Sequence, residues 1–194
     1  MKQPKVVVLI AFTFLLTASL VQGQTSQTAP TLTSVLANQV KILEKEFVPA
    51  AEAMPTDKFN FVPSPSLGEF KESRTFAQEV SHVATANWQF GAAILGEKPP
   101  VDTAGPNENG PASLKTKQEI MKYLTDSFAY VDKAIATITS ANAVEPISFG
   151  NGKSTRLGVA SLTAWHGFDH YGQMVIYLRM NGIVPPASRP QPKK

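Results

Sequence analysis

The chain has 194 residues, 43% of them hydrophobic and 17% charged, with a formal net charge of +3 and no cysteine. The missing cysteine excludes thiol nucleophiles, thiolate metal sites, a lipidated-cysteine anchor and CxxCH haem attachment, so any metal must be held by nitrogen and oxygen. The basic residues are scattered apart from Lys193-Lys194, which argues against the clustered basic face that nucleic acid or an anionic membrane requires.

The opening residues MKQPKVVVLIAFTFLLTASLVQG read as a cleavable signal peptide. Lys2 and Lys5 form a positive head, Val6 to Leu20 is an uncharged apolar run, and Val21-Gln22-Gly23 offers a cleavage point. A membrane anchor is the alternative, but the run is shorter than the roughly 20 apolar residues a spanning helix needs, and no later segment supplies one. Export is therefore expected, to a periplasm or the extracellular space, with no membrane span after processing. Taking this 23-residue leader from 194 residues leaves 171, with a formal charge of +1, enough for one domain with a full core. Residues 24–30 read as a flexible spacer, 31–186 as the domain and 187–194 as a Pro/Lys tail.

From Thr31 or Thr33, apolar residues recur at helical spacing through Leu32, Val35, Leu36, Val40, Leu43 and Phe47, predicting a first helix that ends before Pro49 or Pro55. Asp57 to Phe70 is a proline-containing connector, pinned by Phe59 and Phe61. A second helix is expected from Ser73 or Thr75 to Leu95, with Phe76, Val80, Val83, Asn87, Phe90 and Ile94 on one face. Gly96 to Ala112 reads as a long loop, and a third helix as Leu114 to Ser140 with Ile120, Leu124, Phe128, Val131, Ile135 and Ile138 as its core stripe. Val144 to Ser154 reads as a loop. A fourth helix follows, capped by Ser154 or Thr155 and running to Met180 or Asn181, with Gly182 as a left-handed cap before Pro185-Pro186. With no convincing strand pattern, the expected fold is all-α, a four-helix bundle with long connecting loops.

The fourth helix contains AWHGFDHYGQM. His166 and His170 lie about 40° apart and about 6 Å along an ideal helix, so their rings can converge. Gln173 and Tyr177 continue this line on a helix whose only charged side chain between Leu157 and Leu178 is Asp169. An unpaired buried polar group costs about 1–3 kcal/mol, and a metal would give such a stripe its reason. The third and last histidine, His82, sits mid-way along the second helix on a polar or small-residue line that includes Glu79, Ala86, Gln89 and Ala93. The competing reading takes all three as ordinary core polar residues. Asp169 points about 100° from its neighbours on an ideal helix and ranks below the others.

Other motifs fail on inspection. Glu79-Val80-Ser81-His82 is one ExxH element, but no second accompanies it, as a di-iron bundle requires. Gly167 stands where HExxH needs its glutamate, and Gly152-Lys153-Ser154 lacks the glycine of a P-loop, with Ile147 in its place.

The segments PTDKFNFVPSP, FAQEVSHVATAN and WHGFDHYGQMVIYLRMNGIVPP resemble the DinB-like (DinB/YfiT) superfamily of metal-binding four-helix proteins, over about Leu32 to Pro186. The resemblance implies that His82, His166 and His170 form a triad for a divalent metal ion such as zinc or nickel. Some relatives are transferases that use a low-molecular-weight thiol. Such thiols are mainly cytoplasmic, and the leader directs this chain away from them. The expected function is a metal-dependent enzyme, of hydrolase or transferase type, acting on a small-molecule substrate. Glu79, Gln89, Gln173 and Tyr177 are the candidates for supporting the ligands or touching substrate. The alternatives are a non-catalytic bundle tied by its metal and an interaction module without one. With the histidines facing inward, Phe168, Tyr171, Val175 and Leu178 are expected on the outer face of the fourth helix, where a homodimer would bury them.

Overall fold

A computed structural model of the chain describes residues 29–190. The signal-peptide reading, residues 24–28 of the spacer and residues 191–194 of the tail lie outside the described residues. Helix α1 spans Leu32–Ala53, α2 Phe76–Leu95, α3 Lys117–Ile135 and α4 Arg156–Met180. Each begins at a threonine whose hydroxyl accepts a backbone N–H of the first turn: Thr31, Thr75, Thr116 and Thr155. In the first three the third helical residue, Ser34, Gln78 or Glu119, bonds back to the threonine N–H.

Helix α2 packs against α3 and α4, and α1 packs against the same two. This arrangement buries 16 of the 20 residues of α2, including every residue of its predicted stripe. Connector residues satisfy its first turn, since Phe76 and Ala77 donate their N–H groups to the carbonyls of Phe61 and Phe59. The same phenylalanines pack edge-on against Tyr177 and Phe76, respectively.

Helix α1 ends before Pro55, the later of its two expected stops. It runs through Pro49, because Phe47, Ala50 and Ala51 are buried on either side while Pro49 and Lys45, whose carbonyl the proline leaves unpaired, are exposed to water. Two local expectations need correction. Helix α3 ends at Ile135 rather than Ser140. Thr137 and Asn142 bond to nearby backbone there, competing with helical bonding, while Ile138 remains fully buried. The stretch read as a loop contains an antiparallel hairpin, β1 Pro146–Phe149 and β2 Gly152–Thr155, pairing Ile147 with Ser154 and Ser148 with Lys153. Gly150 has φ +55 in its two-residue Gly150-Asn151 turn, a conformation glycine takes freely. The fold is thus mostly helical with one hairpin.

The outward face of α4 also differs. Leu178 is fully buried, Tyr171 and Val175 are half-buried, and the exposed apolar residues are Trp165, Phe168, Ile176 and Met180. The interior direction of α4 runs through Thr163, Gly167, His170, Met174 and Leu178, with His166 at its margin. Contact with α1 sets this rotation. A Cβ on Gly167 would come within 2.2 Å of Leu43 Cδ2, so the position that rules out HExxH is also the point of close helix approach.

Gly167→Ala is expected to lower stability by about 1–3 kcal/mol through overpacking. Urea unfolding measures this, and an unchanged midpoint would contradict the close approach.

Candidate metal centre

Helices α2 and α4 bring all three histidines together. One ligand atom from each of His82, His166 and His170 lies within 4.8 Å of the others, the only such cluster of three or more His, Cys, Asp or Glu residues among the described residues. His82 and His170 are buried, and His166 is half-buried. The ring centroids are 4.6 to 5.1 Å apart.

Two rings are oriented from behind. Nδ1 of His82 lies 3.0 Å from the carbonyl oxygen of Glu108, which can only accept, so Nδ1 carries the proton and Nε2 keeps its lone pair. Nδ1 of His170 lies 2.5 Å from Oε2 of Glu79, whose side chain is almost fully buried. A carboxylate accepting there puts the Nδ1 proton on the Glu79 side, so Nε2 is the nitrogen of His170 left for a ligand. Nε2 of His82 and Nε2 of His166 face each other at 3.2 Å. Burial, followed by the Arg74 and His170 charges, holds His82 below the ordinary imidazole pKa. Burial, followed by the two other histidines, lowers His166 to about 4. Imidazole nitrogens converging in this way, with His82 and His166 held toward their neutral forms, suit a divalent cation, which needs lone pairs.

The remaining candidates separate. Glu79 lies behind His170 and supports it. Gln173 is exposed and reaches only 3.5 Å from His170 Nδ1, at the limit of a hydrogen bond and on the nitrogen that faces Glu79. Tyr177 does not reach the triad through its hydroxyl, which donates to the carbonyl of Arg74 at 3.1 Å. Gln89 lines a cavity of about 680 Å³ onto which His166 opens, beside Phe90, Phe149 and Leu162. Among the described residues, no helix is long and apolar enough to cross a membrane.

The sequence model of the DinB superfamily matches residues 39–174. The chain belongs to the DinB superfamily. The crystal structure of a DinB-like protein from Bacillus subtilis has the same fold, with a TM-score of 0.57 at 17% identity, covering 76% of this chain and 92% of that one. No curated protein sequence matches the chain.

Sequence reasoning missed the support of His82 in this DinB-superfamily chain. The Glu108 carbonyl belongs to a loop in which Asn107 and Glu108 both have positive φ, +55 and +58, an uncommon conformation for side-chain-bearing residues. Arg74 holds this loop: Nε donates to Asn109 Oδ1 at 2.7 Å and an Nη to the carbonyl of Asn107 at 3.0 Å. The loop also closes on itself, since a Cβ on Gly105 would stand 1.9 Å from the Gly110 carbonyl oxygen. Gly105 and Gly110 in a polar loop were the available signal, but nothing local pairs Arg74 with residues over 30 positions away.

Arg74→Ala is expected to release the loop and convert His82 from the Nδ1–H form to a mixture of tautomers. Imidazole nitrogen NMR on metal-free protein reads this directly. An unchanged His82 tautomer would remove Arg74 from the support.

Proposed function

We propose that His82, His166 and His170 hold one divalent ion, with zinc or nickel suited to their nitrogen donors, and that the protein is an exported metal-dependent enzyme of hydrolase or transferase type acting on a small molecule. The observation that carries this reading is the position of Glu79. Because it supports His170 from behind, it is not a fourth ligand, and three nitrogens remain beside a cavity. Three protein ligands with one position open is the arrangement of catalytic zinc sites, whereas structural sites are closed by four. When bound, the ion would acidify a water or polarise a substrate oxygen.

The chain's own residues supply the rest. Glu79 and the Glu108 carbonyl hold two protons on Nδ1 atoms and aim the rings. Gln89 offers an amide to a molecule in the cavity, while Phe90 and Phe149 wall off water. Export rests on residues 1–23 alone.

Elemental analysis of mature protein, purified without a histidine tag beside His166→Ala, tests the proposal. Wild type is expected to carry about one equivalent of metal and the variant, short of one of three ligands, to lose most of it while still folded. If neither carries metal, and zinc or nickel leaves the melting temperature unchanged, the histidines are core polar residues. If the variant loses its metal and unfolds, the ion is a structural tie.

We also propose that the chain forms a homodimer through α4, supported by the exposed Trp165, Phe168, Ile176 and Met180 on one helix. Sedimentation is expected to give a dimer at micromolar concentration and a monomer for Ile176→Glu. A wild-type monomer overturns it.

A further inference from the structure

The cavity beside His166 carries information on what it would admit. One wall is α2, where Ala86, Phe90 and Ala93 line about 10 Å of helix, and Phe149 of β1, packed on Phe90, and Leu162 of α4 complete the apolar lining. Phe90 and Phe149 lie 5.6 Å apart by ring centroid, and Phe90 also stands edge-on to His166 at 5.6 Å. Small side chains leave the volume open while aromatic rings make its surface apolar.

The charged lining has a single sign. Glu97 and Glu108 both line the cavity, and neither lysine nor arginine does. Two arginines of the same end of the bundle have other partners: Arg156 donates to the Ile94 carbonyl and pairs with Glu145, and Arg74 is bound to Asn107 and Asn109. Glu97 is itself positioned, with Oε1 accepting the Tyr130 hydroxyl at 2.7 Å. Tyr130 is pushed up to about 12, first by burial and then by Glu97, so it remains a neutral donor that leaves the charge of the carboxylate in place.

We propose that this cavity binds a small molecule with an apolar, aromatic-sized body and a protonated amine, the body against the paired rings of Phe90 and Phe149 and the amine against Glu97 and Glu108. This names the substrate class of the site proposed above and rests on reading the triad as its reactive end. With the triad free of metal, the same lining disfavours an anionic ligand, because its carboxylate meets like charge.

The test uses three probes with a shared body, phenethylamine, hydrocinnamate and phenethyl alcohol, titrated into metal-free full-length mature protein and followed by amide NMR shifts at Gln89 and Phe149. Phenethylamine is expected to bind about fivefold tighter than hydrocinnamate, the preference one solvent-accessible ion pair supplies. In the Glu97→Gln, Glu108→Gln double variant it should fall to the level of the alcohol. Ala93→Trp, which fills the cavity, should abolish binding of all three, with melting temperatures confirming that both variants fold. Hydrocinnamate binding as tightly as the amine, an amine preference that survives the double variant, or no shifts with any probe in the millimolar range overturns the proposal. Because the protein is metal-free here, this outcome is separate from the elemental analysis: amine binding without metal retention removes the triad reading alone, and metal retention without amine binding removes this one alone.

Discussion

The contact between Glu79 and His170 is the interaction on which the rest depends. Both side chains are almost entirely removed from water, at 2% and 7% exposure, and they meet across α2 and α4. An isolated carboxylate at that depth would be several kcal/mol too costly to keep ionised, so the pair has to form for either helix to bury the residue it contributes. Its geometry sets the register of α2 against α4. The same register brings His82 and His166 to Nε2 contact, so the constraint that settles the helix pair also assembles the triad.

The second support comes from outside the helices. His82 bonds to a loop carbonyl, and that loop holds two side-chain-bearing residues at positive φ, so it persists only where other contacts over-determine it. Arg74 supplies those contacts from the entrance of α2, and its own carbonyl is fixed by Tyr177 of α4. A chain of hydrogen bonds therefore runs from α4 through Arg74 and the loop to His82. The two buried histidines are held by quite different means, one by a carboxylate within the bundle and one by strained backbone at its edge.

The β1–β2 hairpin gives the triad a wall. Phe149 reaches Phe90 from a two-stranded hairpin too small to be stable on its own, and the hairpin leads into the Thr155 cap of α4. Cavity and histidine triad consequently share residues: His166 belongs to both, and Glu108 contributes its carbonyl to one and lines the other.

The sequence by itself determined what depends on local periodicity and capping. The four helices, the threonine caps at Thr75 and Thr155 and the Gly182 terminus were legible because each is decided within a few residues, and the one-face placement of His166 and His170 follows from helical pitch alone. Grouping His82 with them needed only the polar line on α2. The Gly150-Asn151 turn was also a local signal, passed over because the flanking strands are only four residues long. Tertiary structure decided the rest. Pro49 stays helical because Phe47, Ala50 and Ala51 are buried, and Leu178 turns inward because Gly167 lets α4 approach Leu43. Glu79 became a support for His170, and Arg74 became the clamp on the loop that carries Glu108, because groups 91 and 33 to 35 residues apart were brought within hydrogen-bond distance. Such pairings depend on helix register and loop path, which no short window of sequence contains.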